Sequence, residues 1–131
     1  MASFFDSHAH YNDSRFDPDR DELIPSLPGR GIARVMNVGA DLESSRASIA
    51  LAEQYPFIYA SVGVHPHSAD ELDDGALSEL ERLSRHPRVL AIGEIGLDYH
   101  YDFSPRPAQL AAFERQLELA RQLDLPVIVH S

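Results

Sequence analysis

Phe4-Phe5-Asp6-Ser7-His8-Ala9-His10 starts with two aromatic residues and then sets a polar side chain at every second position. That pattern reads as a strand whose aromatic start is buried. Successive side chains on a strand point to opposite faces, so Asp6, His8 and His10 are expected on one face. Three ionisable groups on one side of an apolar strand are costly to bury without partners. A divalent metal ion suits two neutral imidazoles about 7 Å apart, given a rise of about 3.3 Å per residue. The plainer alternative is an exposed polar edge strand that carries two histidines.

Outward from this stretch, further strand-like segments recur. Ile32 to Gly39, Phe57 to Val64, Arg88 to Glu94 and Pro126 to His130 are mostly continuous apolar runs, as in parallel strands covered on both faces. Helical patterns lie between them. Pro18 to Leu27 is weakened by Pro25 and Pro28. Leu42 to Tyr55 is capped by Asp41, and Leu72 to Arg85 sets Leu72, Leu77, Leu80 and Leu83 near one face. Arg106 to Leu123 carries Leu110, Phe113, Leu117 and Ala120 at helical spacing, with Pro107 in its first turn. These stripes are expected to pack in the core. Strand, loop and helix alternate about every thirty residues, which predicts an α/β fold with a parallel sheet. With no linker or low-complexity stretch, residues 1–131 read as one domain.

The polar residues gather at one kind of place. His10, Gly39, His65, Glu94 and His130 all fall at or just beyond the C-terminal ends of the strands, the edge where parallel α/β proteins bind ligands. Glu94 interrupts the apolar run Ala91-Ile92-Gly93-Glu94-Ile95-Gly96, so it reads as a metal ligand or acid/base rather than a helix cap. Its flanking glycines permit close approach of backbone or ligand. His130 at the end of Val127-Ile128-Val129 is a candidate ligand of a second ion. In Val64-His65-Pro66-His67, His65 is placed to touch substrate, while His67 is expected to cap the next segment. Asp98 and Tyr99 are expected to orient ligands or line the pocket, and His86 and His100 to be surface residues. Imidazole and carboxylate donors accept several divalent metals, and spacing does not choose among them.

Composition removes other chemistries. There are no cysteines, hence no disulfide framework, thiolate metal site or cysteine nucleophile. All 11 basic residues are arginine, which removes Schiff-base chemistry and a modified-lysine metal bridge. A formal charge of −10 argues against broad electrostatic capture of nucleic acid. Cations in a cleft can still reverse the local sign. No membrane span or signal peptide is evident, and the expected location is cytoplasmic.

Asp6-Ser7-His8-Ala9-His10, Gly63-Val64-His65-Pro66-His67, Gly93-Glu94-Ile95-Gly96-Leu97-Asp98-Tyr99 and Pro126-Val127-Ile128-Val129-His130-Ser131 together resemble the TatD family of metal-dependent deoxyribonucleases, in order and in spacing. The resemblance implies a TIM-type barrel of the amidohydrolase superfamily, two divalent metal ions (Mg, Mn or Zn) and 3′ to 5′ exonuclease hydrolysis of DNA. Carried over by position, it implies that His8 and His10 hold the first ion, Glu94 bridges both, and His130 binds the second. His65 and Tyr99 would then meet substrate. An amidohydrolase-type hydrolase of an amide or ester, and a non-catalytic metal-binding half-barrel, stay open beside this reading.

The departure is one of length. A TIM barrel takes roughly eight βα units and about 250 residues. Five strands give a partial barrel, the N-terminal half, with two open sheet edges. A later histidine and a later aspartate of the family's metal site, and the arginine that commonly follows its histidine-serine pair, have no counterpart here. The chain is therefore expected to associate with itself or with a separate second half-barrel. The carboxylate of Ser131 is expected near the metals.

Overall fold

The computed structural model describes residues 3–130; Ser131, and with it the expectation about its carboxylate, lies outside them. Five strands, β1 (Phe4–Ala9), β2 (Ile32–Val38), β3 (Ile58–Val62), β4 (Val89–Gly96) and β5 (Val127–His130), form one sheet in chain order. Every neighbouring pair is parallel, so the sheet is a half-barrel whose successive strands are joined by crossovers. The crossovers contain α1 (Arg20–Ser26), α2 (Leu42–Gln54), α3 (Asp74–Ser84) and α4 (Arg106–Leu123).

Local chemistry accounts for these elements. Asp41 and Ser44 make a reciprocal capping box at the start of α2, satisfying amides that the helix leaves without partners. Asp73 accepts from the Ala76 amide to start α3. The helix expected from Leu72 begins later, because Pro66–Glu71 winds first as a 3-10 segment. Residues of all four helices, among them Ile24, Ile49, Leu80 and Leu119, join Val35, Ile58, Val62, Ile92 and Ile95 of the strands in one contiguous core.

Two expectations about burial are corrected. Phe4 and Phe5 are 59% and 55% exposed, because β1 is an edge strand and pairs only with β2. On α4, Leu110 and Leu117 are exposed while Gln109, Ala112, Gln116 and Leu119 are buried. Ala120 is buried and Phe113 packs against the core as expected, so the buried face keeps half of the stripe and shares itself with the glutamines.

The reason lies in the two glutamines. Gln116 Oε1 accepts from the Val64 amide at 2.7 Å, and its Nε2 donates to the Val64 carbonyl at 3.1 Å. Gln109 treats Asp98 the same way, accepting from its amide at 2.8 Å and donating to its carbonyl at 3.1 Å. Each amide side chain supplies the two bonds that a neighbouring strand would give. Buried backbone groups in the loops after β3 and β4 are thereby paired.

Close approach between strands is secured by glycine. A Cβ on Gly63 would stand 2.9–3.0 Å from the backbone of Gly93, and one on Gly93 would stand 2.6 Å from Ile128 Cβ. β3, β4 and β5 can therefore sit tightly enough to bring their ends together.

Candidate metal centre

Each strand delivers polar groups to the same edge. β1 presents His8 and, one residue past its end, His10; their rings lie 5.1 Å apart. The His10 Nδ1 faces the Val38 carbonyl at 3.0 Å. A carbonyl only accepts, so this nitrogen carries the proton and leaves the Nε2 lone pair free. The segment beyond is fixed from two sides. Buried Asn37 accepts from the Tyr11 amide at 2.7 Å and donates to Asn12 and Ser48. Arg20 donates to the carbonyls of Tyr11, Asn12 and Asp13. Asp6 accepts from the His8 amide and takes part in no donor group found among the described residues.

Two groups of donor atoms lie within metal-ligand reach, each with its atoms inside 4.8 Å of one another. One is His8, His10 and Glu94; the other is His65, His67 and His130. Glu94 on β4 stands between them. Its Oε1 is 3.2 Å from His8 Nε2, and its Oε2 is 2.9 Å from His130 Nδ1 and 3.8 Å from His65 Nε2. Burial opposes ionisation of Glu94, yet the His130 hydrogen bond and the nearby His65 and His8 outweigh it. The carboxyl is held below its ordinary range. The donor set, two imidazole groups sharing a carboxylate with one oxygen toward each, fits divalent cations. A shallow cavity of about 380 Å³ lined by His10, Ala40, His65, His67 and Glu94 opens onto it.

His67 and Asp98 have larger parts than their sequence suggested. His67 does not cap the 3-10 segment; His65 does, its Nδ1 accepting from the His67 amide at 3.1 Å. The neutral His65 ring then carries its proton on Nε2. It offers a donor, suited to an anionic oxygen, although the residue also belongs to the second donor group. The His67 ring is hydrogen-bonded to Asp98, whose carboxyl is pulled down to about 2, chiefly by that bond and then by the Tyr101 amide. Asp98 Oδ2 also lies 3.5 Å from His130 Nε2, which places the same carboxylate beside both rings while its hydrogen bond goes to His67. Tyr99 is exposed beside the site, with the Arg106 guanidinium 4.3 Å above its ring. His100 is exposed as expected, while His86 is half-buried near Glu53 and remote from the donor groups.

Burial pushes the His65 pKa down from 6.5 to about 4, with the Glu94 charge opposing. The unfolded chain therefore binds a proton that the folded chain excludes, and stability falls as pH drops from 6.5 towards 4. In chelator, the urea midpoint is expected to fall between pH 7 and pH 5, and His65→Gln to flatten that fall. An equal pH dependence in the variant would remove His65 as its source.

A parallel half-barrel with two imidazole groups joined by a carboxylate at its C-terminal edge is the class that fold and site define. The family profile described as TatD related DNase matches residues 5–131. The chain belongs to this family. It is 39% identical over 127 residues to a Bacillus subtilis protein named uncharacterized metal-dependent hydrolase YabD, covering 97% of this chain and 50% of that protein. It is also 39% identical over 126 residues to the protein named 3′-5′ ssDNA/RNA exonuclease TatD of Cronobacter sakazakii, covering 96% and 48%. The crystal structure of YJJV, a TatD homolog from Escherichia coli, superposes with a TM-score of 0.88 at 33% identity, covering 98% of this chain and 50% of that one. The chain spans about half the length of the curated relatives it matches.

Proposed function

We propose that this chain carries the metal-binding half of a hydrolase that cuts phosphodiester bonds in single-stranded nucleic acid from the 3′ end. The observation that carries the reading is the position of Glu94, with one carboxylate oxygen toward each donor group. In this reading His8 and His10 hold one divalent ion, His130 holds the other, and Glu94 is shared. Mg, Mn or Zn would polarise a phosphoryl oxygen and lower the pKa of bound water, clamping attacking and leaving oxygens.

The chain's own residues prepare that site. The Val38 carbonyl fixes the His10 ring with Nε2 outward. Asp98 holds the His67 ring by a hydrogen bond, and Glu94 holds that of His130. His65 Nε2–H is the donor for a phosphate oxygen, and Tyr99 lines the approach. Support for the substrate class comes from the Cronobacter sakazakii relative, whose name specifies single-stranded DNA and RNA.

The test is release of mononucleotides from single strands labelled at either end, with and without chelator, beside a panel of amide and ester substrates. Chelator-sensitive release from the 3′ end is expected. Turnover of acyl substrates alone would replace the reading with an amide or ester hydrolase. Stoichiometric metal with no turnover would replace it with a binding module.

A further inference from the structure

The loop between β4 and α4 exposes three aromatic residues beside the donor groups: Tyr99 at 43%, Tyr101 at 60% and Phe103 at 67%. Tyr99 is covered by Arg106, itself held by Asp102, but Tyr101 and Phe103 lie on each other. Their rings are nearly parallel, 17° between planes and 5.4 Å between centroids. The pair is continuous with the candidate centre, since the Phe103 ring lies 4.8 Å and the Tyr101 ring 6.0 Å from the ring of His67.

The loop's own bonds hold the pair in place. Asp98 accepts from the amides of His100 and Tyr101, and the Ser104 hydroxyl lies within hydrogen-bond reach of both the His67 carbonyl and Asp70. Exposed aromatic area on so braced a loop is surface available to a flat apolar ligand.

We infer that Tyr101 and Phe103 form a stacking platform for the bases of a single-stranded nucleic acid whose backbone runs to the Glu94 centre. This rests on the hydrolase reading and adds what holds the strand away from the reacting bond. The occupant follows from the substrate class proposed above and from the contact of both rings with His67, and the net charge bears on how it would be held. At −10 the chain gains little from displacing counterions along a phosphate backbone. Stacking does not depend on net charge, and every base has a π-face, so the platform grips a strand without regard to its sequence.

The double variant Y101L/F103L keeps apolar bulk and removes the ring faces. Binding is read in chelator, by fluorescence anisotropy of a labelled thymidine octamer and of an abasic strand of equal length. The native chain is expected to bind the octamer more tightly than the abasic strand. The variant is expected to lose at least about fivefold for the octamer, the lower end of one base–aromatic stack, and to bind the abasic strand as the native chain does. Equal binding of the two strands by the native chain, or an unchanged octamer affinity in the variant, overturns the platform. An equal loss for both strands overturns it too, showing that the rings brace protein and not bases. Because no cleavage is read, octamer-selective binding that depends on the rings supports the platform even where the nuclease assay fails. Cleavage with ring-independent binding leaves the hydrolase reading standing alone.

Discussion

Glu94→Gln is expected to lower the affinity for divalent ions by more than about 100-fold, beyond the loss typical of a partner that only supports a ligand. Hydrolysis should vanish with it. The glutamine has the same shape, but its amide nitrogen donates where a cation needs an acceptor. Only one oxygen remains, so at most one of the His8 and His130 sides keeps its carboxylate contact. The negative charge is lost at a side chain only 10% exposed, where solvent does little to compensate. Titration of the chelator-stripped chain with Mn²⁺ measures this directly, and an unchanged thermal midpoint separates lost chemistry from lost folding. Affinity within about threefold of the native value would remove the shared-carboxylate arrangement.

Gln116→Ala should be strongly damaging although it lies away from the donor groups, at about 2–5 kcal/mol of stability. The change strands the Val64 amide and carbonyl, both inside the protein, and leaves a cavity beneath the loop that carries His65. Gln116→Glu is the sharper probe. It keeps an acceptor for the Val64 amide but sets a carboxylate against the Val64 carbonyl, so it should cost nearly as much despite equal volume. Urea unfolding of both variants gives the result. A loss below about 1 kcal/mol in each would show that water substitutes for the side chain.

The same residue shows where the amino-acid sequence stops being readable. Period and strand spacing indicate an α/β fold with a parallel sheet and put His10, Glu94 and His130 at one edge, because these depend on local pattern; that the sheet is half of a barrel is what the family resemblance implies. The orientation of α4 depends on what the loops after β3 and β4 lack, which no helical period records. A leucine stripe on a helix beside unpaired backbone can lose to a glutamine stripe that supplies the bonds. Phe4 and Phe5 depart from expectation for a related reason: an aromatic start identifies a strand but not whether both its sides are covered. His67 and Asp98 sit 31 residues apart, and their pairing required knowing that β3 and β4 are neighbours. The Gly96-Leu97-Asp98 turn after an apolar strand was the available signal, and it marked Asp98 without naming its partner.

The grip of Arg20 and Asn37 on Tyr11, Asn12 and Asp13 has a thermodynamic consequence. A loop that must be ordered when its ligand arrives charges that ordering against affinity, about 0.5–1.5 kcal/mol for each rotamer-rich side chain immobilised. Here three carbonyls and an amide are already bonded, so the His10 side of the pocket takes its shape during folding. Capture there draws on contact energy with little lost to freezing the chain.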